Sequence, residues 1–271
     1  MHLEHCSALV TGGAGGLGGA TSRRLAALGV HVVILEPETG RAEQLAAEIG
    51  PRAVAFRGDH TREADVLRAI AIAIAQDLGT FAINVNAAGV SIPTPPVATA
   101  DGVPHDMVVF REMIELHLMG PFNATRLAAA DMAGNAPDAD GQRGLIVNTS
   151  STAAEDGQAQ QVAYAGAKAA IKAMALAMAR DLAPIGVRVN AIAPGPIWTP
   201  RLAGASDELK AALTANIAFP KRFGDPSEYA ALVEMMIRTP FLNGQTIRLD
   251  GAMSTPLTAM SPPRRKDGAN A

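Results

Sequence analysis

Between residues 11 and 19 the chain reads Thr-Gly-Gly-Ala-Gly-Gly-Leu-Gly-Gly, and this stretch constrains the fold more than any other. It follows the apolar run Ala8-Leu9-Val10 and opens a helical pattern that continues through Leu25 and Leu28. Glycines let a backbone reverse sharply at the end of a buried strand and approach a ligand closely. The first turn of the following helix then offers unpaired N–H groups and the positive end of its dipole. A pyrophosphate fits such a place, so Gly12, Gly15, Gly16, Leu17 and Gly18 are the first candidate binding residues. A flexible linker has a similar composition, but a linker has no reason to sit between a buried strand and an amphipathic helix.

The rest of the chain repeats that rhythm. Short apolar runs at 8–10, 31–35, 53–56, 83–85, 144–148, 187–191 and 246–249 alternate with helical patterns at 16–28, 41–49, 62–78, 110–132, 159–182 and 226–237. Near-continuous apolar strands belong to parallel sheets covered on both faces, and strict alternation predicts an α/β doubly wound parallel sheet of the Rossmann type. With 271 residues, 48% of them hydrophobic, a single domain over 1–251 is expected, followed by a partly disordered tail over 252–271. Three stretches break the rhythm. Residues 91–106 hold four prolines, 134–143 form a polar turn before a strand, and 194–225 begin Pro-Gly-Pro and carry a helical pattern at 207–217. Ligands in open α/β sheets bind outside the strand C-termini. The first and third stretches follow strands and are candidate walls of a site; the second belongs at the opposite edge.

Charge and cysteine content narrow the class. The net charge is -3, and the basic cluster Arg264-Arg265-Lys266 sits in a tail containing Pro and Gly, so no nucleic-acid footprint is present. Cys6 is the only cysteine, which excludes an intrachain disulfide and suits a reducing compartment. No apolar run is expected to be long enough for a bilayer, and no signal peptide is read at the N-terminus. A soluble cytoplasmic protein with no membrane partner is the expectation. The six histidines lack ligand spacing, so no metal is expected.

Several polar residues stand at strand ends. Glu36 can bond the hydroxyls of an adenosine ribose, and its charge repels a 2′-phosphate, which favours NAD over NADP; nearby Arg41 blunts that preference. Asp59 or Thr61 caps the next helix, or the Asp59 carboxylate accepts from an adenine amino group. Asn86-Ala87-Ala88-Gly89 is either a plain turn or a flat seat for a ribose and nicotinamide. Tyr164 and Lys168 are four residues apart, on one helix face, and Ser151 lies thirteen residues upstream of the tyrosine. A neighbouring ammonium favours phenolate, so the Tyr164 pKa is expected to fall below its usual value of about 10. Such a phenol exchanges a proton with an alcohol or a carbonyl.

Together these residues resemble the short-chain dehydrogenase/reductase family over nearly the whole chain, from Ser7 to Gly251. The motifs are Thr-Gly-x-x-x-Gly-x-Gly at 11–18, Asn-x-Ala-Gly at 86–89, Ser151, Tyr-x-x-x-Lys at 164–168 and Pro-Gly at 194–195. The closer likeness within it is to the type II 3-hydroxyacyl-CoA dehydrogenases, carried by stretches at 118–123, 141–144, 180–189, 224–230 and 241–251. The resemblance implies NAD as cofactor. It places the pyrophosphate on the backbone of Gly15 and Leu17, the ribose on Glu36, the adenine on Asp59 and His60, and the nicotinamide ribose on Ala87, Gly89 and Lys168. It assigns the carboxamide to Ile197 and Thr199, just past Pro194, and makes Ser151, rather than its neighbour Ser150, the donor to the substrate oxygen. His117 stands where most relatives have an asparagine that holds a water beside the lysine. A relay through its imidazole is expected, with His117→Asn retaining or raising turnover and flattening its pH dependence.

The implied reaction is reversible oxidation of a secondary alcohol, with an acyl-CoA as the hydrophobic substrate and a homotetramer as the assembly. The apolar loop after residue 196 suits an acyl chain, a steroid or another hydrophobic alcohol equally. A 3-oxoacyl carrier-protein reductase, a hydroxysteroid dehydrogenase and an NAD-binding scaffold with weak chemistry remain as alternatives.

Overall fold

A computed structural model describes residues 1–253 apart from 76–77, 91–93 and 203. The tail from 254 onward, with its basic cluster, and the start of the 91–106 loop lie outside the described residues. Seven parallel strands form one sheet: β1 (Cys6–Thr11), β2 (His31–Glu36), β3 (Ala53–Arg57), β4 (Thr80–Asn86), β5 (Gly144–Thr149), β6 (Val187–Pro194) and β7 (Thr246–Leu249). Their order is β3-β2-β1-β4-β5-β6-β7. Every residue of β1, β5 and β6 is buried, as a sheet covered on both faces requires.

Side chains alternate across the sheet and feed two separate cores. Ala8, Val10, Val32 and Ile34 face one core, closed by Leu25 of α1 (Gly16–Ala27), Leu45 of α2 (Thr39–Ile49) and Val233 and Met236 of α8 (Pro226–Arg238). Leu9, Val33 and Leu35 face the other. There they meet Val66 and Ile70 of α3 (Glu63–Ala73), Ala124 and Ala128 of α5 (Gly120–Met132) and Met178 of α6 (Val162–Leu182). Each fully buried Leu, Ile or Val contributes about 1.5–3 kcal/mol relative to exposure, so a one-residue register slip in β1 would exchange both sets at once.

Element boundaries differ from the sequence reading in informative places. The helix expected over 110–132 starts earlier and has three parts: α4 (Met107–Ile114), a π-helical segment (Glu115–Met119) and α5. The helix expected from 159 starts at Val162, because Gln160 takes a left-handed backbone with φ 64°. In the wall segment after β6, which covers the crevice as a lid, the helix expected over 207–217 is α7 (Asp207–Thr214). One expectation is corrected outright: Val162–Ile185 is long and apolar enough to cross a bilayer. Here it packs along β6 and against α4, with Ala163, Ala167, Ile171 and Ala175 buried; closely spaced alanines let a helix lie near the sheet.

Strand order reverses at β1, whose neighbours β2 and β4 take their crossovers in opposite directions. A crevice opens above that point. The glycine loop leaves β1 there and residues 87–89 leave β4, with Ala87 N–H donating to Thr11 C=O at 3.1 Å.

Candidate active site

The glycine loop is shaped by what lies against it. Gly12 has φ +61°, and a Cβ there would fall 2.5 Å from Ala88 Cα. A Cβ on Gly16 would fall 2.6 Å from Thr199 Cγ2. Glycine at these positions is what lets the β1 turn, the β4 turn and the start of the lid converge. Gly18 likewise lies hard against the Gly12 carbonyl. Gly15 precedes α1 with no side chain capping the helix, so the first-turn N–H groups of Gly16, Leu17 and Gly18 are presented as an anion site.

Glu36 ends β2, and its carboxylate accepts from Ala14 N–H at 3.3 Å. Burial raises its pKa, while that bond and the Arg41 guanidinium work in the opposite direction. Arg41 itself donates to Ala14 C=O at 3.1 Å, beside the glycine loop. Asp59 accepts from Thr61 N–H and Oγ1 at 2.9 and 2.8 Å, a local turn ahead of α3. Although its burial acts the other way, those bonds help hold its pKa below the ordinary aspartate value.

At two expected cofactor contacts the side chain turns away and leaves the backbone. The His60 ring turns inward, bonds Leu116 C=O through Nε2 at 3.0 Å and packs on Gly120, so only its backbone is left to face an adenine. The Asn86 amide is also turned away from the crevice. It donates to Asn84 Oδ1, Asn148 Oδ1, Thr125 Oγ1 and Pro121 C=O, inside a buried network joining β4, β5 and α5. A four-residue motif specifies the turn but not the rotamer beneath it.

On the other side of the crevice, β5 ends in Thr149 and leads to Ser150 and Ser151. Ser150 is fully buried and donates to Lys168 C=O at 2.8 Å. Ser151 Oγ accepts from Ala153 N–H at 3.1 Å and is hydrogen-bonded to the Tyr164 side chain. The two neighbouring serines thus divide the work: one clamps α6, the other meets the phenol. Lys168, only 3% exposed, donates from Nζ to Thr149 C=O at 2.7 Å and lies 5.8 Å from the Tyr164 ring centroid.

The electrostatics correct the expected acid phenol. Burial pushes the Tyr164 pKa above its ordinary value, and the bond from Ser151 only opposes this. Burial also lowers Lys168 to about 8, which weakens the charge that was expected to favour phenolate. Tyr164 is the third residue of α6, so the helix dipole favours its anion. The protein's own groups nevertheless hold Tyr164 as a neutral phenol.

His117 is in the π-helical segment, 1% exposed, with its ring edge-on to Tyr164 at 4.9 Å between centroids and 89° between planes. Its Nε2 pairs with Val90 C=O at 2.8 Å. A carbonyl only accepts, so Nε2 carries the proton and Nδ1 is a bare acceptor. That Nδ1 is buried without a protein partner among the described residues. Burial, then the Lys168 charge, lower its pKa to about 3. With its ring held neutral in this way, His117 adds no titration of its own in an ordinary assay range.

The lid is closed at its base. Ile197 and Gly224 form a bridge, Trp198 N–H donates to Gly224 C=O at 2.8 Å, and Gly224 N–H donates to Pro196 C=O at 3.0 Å. Ile197 is buried beyond the end of β6 at Pro194, and Thr199 rests on Gly16. The other wall is tied to the segment just before α6, where Thr94 N–H donates to Gln160 C=O at 2.8 Å. Sequence reasoning missed Thr149 and Thr11, although each is a polar end to an apolar strand. Thr149 receives Lys168, and Thr11 Oγ1 accepts from Ala88 N–H at 3.4 Å.

Residues 7–210 match the short chain dehydrogenase family. The chain is 44% identical over 246 residues to 3-hydroxyacyl-CoA dehydrogenase type-2 of Homo sapiens, covering 91% of this chain and 94% of the relative. It is 41% identical over 251 residues to the Drosophila melanogaster protein of the same name, covering 93% and 98%. The crystal structure of 3-hydroxyacyl-CoA dehydrogenase type-2 from Mycobacterium avium superposes with a TM-score of 0.91 at 42% identity, over 94% of this chain and 98% of that one. A 3-ketoacyl-(acyl-carrier-protein) reductase from Brucella melitensis, solved with NADH, gives 0.81 at 28% identity, over 93% and 100%. With the glycine loop, the serine and the Tyr–Lys helix in their places on the same sheet, this chain belongs to the short chain dehydrogenase family.

Proposed function

We propose that the protein is an NAD-dependent dehydrogenase interconverting a 3-hydroxyacyl-CoA and the corresponding 3-oxoacyl-CoA. The observation that carries the chemistry is the Ser151–Tyr164–Lys168 cluster across the crevice from the glycine loop, with Ser151 and Lys168 buried and Tyr164 half-buried between them. The crevice fits a dinucleotide: the Gly12 and Gly16 approaches leave no room for side chains, the start of α1 suits a pyrophosphate, and Glu36 suits an unphosphorylated ribose. When bound, NAD supplies the hydride acceptor. In oxidation, Tyr164 takes the hydroxyl proton as the hydride leaves the alcohol carbon; the phenolate this needs is disfavoured by the protein's own groups, and the positive charge of a bound nicotinamide would favour it. Ser151 donates to the substrate oxygen and orients it. Lys168, with one of its three donors on Thr149, has others to offer a ribose. His117 packs the phenol ring edge-on and offers Nδ1 as an acceptor for a proton relay.

The acyl-CoA assignment rests on the relatives' names and identities. Exposed apolar side chains on α4, α5 and α6, among them Val108, Phe122 and Leu176, support a homotetramer. The test is steady-state kinetics with NAD and NADP against 3-hydroxyacyl-CoA, steroid and simple secondary alcohols, with Tyr164→Phe as control. The expected outcome is the highest kcat/KM with NAD and a 3-hydroxyacyl-CoA, and a loss of about 10²–10⁴-fold in Tyr164→Phe with NAD binding intact. NAD binding without oxidation of any of these alcohols would instead indicate a scaffold.

A further inference from the structure

The chain has two tyrosines, and the second is nowhere near exposed. Tyr229 is in the second turn of α8, 0% exposed, within an apolar core that a phenylalanine would fill equally well. Its hydroxyl therefore needs a reason to be there, since a buried unpaired hydroxyl costs about 1–3 kcal/mol. It lies 2.7 Å from Thr149 Oγ1, which lies 2.6 Å from Asn86 C=O. The direction of the chain follows from chemistry. Asn86 C=O only accepts, so Thr149 spends its one proton there and Tyr229 must donate to Thr149. Burial pushes the Tyr229 pKa up to about 12, which keeps that proton in place.

Both ends of this chain meet the site. Asn86 is the last residue of β4, directly before the 87–89 turn. Thr149 is the last residue of β5; its own C=O takes the Lys168 ammonium, and the next two residues are the α6 clamp Ser150 and the donor Ser151.

We propose that Tyr229 is a positioning residue for the reaction: through Thr149 it holds the ends of β4 and β5 at a set spacing and aims the Thr149 carbonyl at Lys168. This rests on the reading of Ser151, Tyr164 and Lys168 as the reacting cluster. The other titratable groups facing Lys168 are Tyr164 on its own helix, His117 in the π-helical segment and His60 in the loop after β3; burial lowers both histidines toward the neutral form. The Thr149 carbonyl is thus the acceptor that favours the charged lysine.

The test is a pH titration of the lysine ε-carbons by NMR on the full chain, which has only five lysines, with Lys168→Met to assign the signal. In Tyr229→Phe the Lys168 midpoint is expected to drop by about 0.5 pH unit or more, because a carbonyl that favours the ammonium is no longer held in line. In turnover, kcat is expected to fall about tenfold with the KM for NAD within about twofold. Thr149→Val should reproduce this, Thr149→Ser should restore it, and the double variant Tyr229→Phe/Thr149→Val should be no worse than either single one. An unchanged Lys168 midpoint in both Tyr229→Phe and Thr149→Val, with only the melting temperature lowered, would overturn the proposal. If the parent protein turns over no alcohol, the proposed function fails, while the lysine titration still decides whether Tyr229 controls Lys168.

Discussion

A histidine with a pKa of about 3 against an ordinary 6.5 carries a consequence for stability. Between those values the unfolded chain binds a proton at His117 and the folded one does not. Stability from this group is fully present above about pH 6.5 and is lost as pH falls toward 3. His60, also lowered by burial, acts in the same direction. Replacing His117 with Asn should flatten the fall in melting temperature on acidification below pH ~6.5, an effect worth up to a few kcal/mol. It should leave the midpoints of the pH–rate profile where they were, because the ring does not titrate there. Thermal melts of both proteins across that range, beside the rate profiles, check both halves. At the other end of the crevice, Glu36 and Arg41 sit on either side of Ala14. Removing the carboxylate in Glu36→Ala takes away the repulsion of a 2′-phosphate and leaves the guanidinium to bind it. The ratio of kcat/KM for NADP over NAD should rise by about tenfold or more, and an unchanged ratio would show that the ribose does not meet Glu36.

Among the elements, α8 depends on a residue outside itself. The last carbonyls of a helix have no partner within it. At α8 these include Met236 C=O and Ile237 C=O, both reached by Arg188 from β6; the same guanidinium also bonds Thr239 C=O, Leu242 C=O and Gln142 Oε1. Arg188 is 6% exposed, and burial lowers its pKa to about 10, a measure of what holding the charge there costs. Arg188→Met leaves those carbonyls unpaired and should destabilise the protein by about 2–4 kcal/mol. Denaturant unfolding reads this directly. At its other end α8 carries a capping box, with Asp225 accepting from Ser227 N–H and Glu228 accepting from Asp225 N–H, so the helix is secured at both termini. The π-helical segment is the opposite kind of element. A regular α-helix through 107–132 would turn residues 115–119 to other faces, whereas the wider turn sets His117 beside Tyr164 and aims Leu116 C=O at His60.

At the scale of the whole molecule, apolar surface is left over. Met107, Val108, Met119, Phe122, Val162 and Leu176 are all more than one-third exposed on α4, the π-helical segment, α5 and α6. β7 is the last strand of the sheet among the described residues. Burying both on copies of the same chain predicts a tetramer of twofold symmetry. Sedimentation at micromolar concentration should give a mass near four chains, and a stable monomer would remove this expectation. What the amino-acid sequence determined by itself was periodicity and backbone demand. Seven apolar runs became seven parallel strands because alternation of strand and helix leaves few other solutions, and the glycines of 12–18 marked the crevice because few residues tolerate such close backbone approach. Tyr164 and Lys168 were legible for the same reason, since helical spacing is local. Direction and environment were not. That Ser150 clamps α6, that Asn86 and His60 turned inward, and that Tyr229 reached Thr149 across eighty residues were decided by packing between elements distant in sequence. The Tyr164 pKa shows why. Spacing to Lys168 predicted a fall, but protonation depends on every atom that replaces water around a group, and only the assembled core sets how much water is lost.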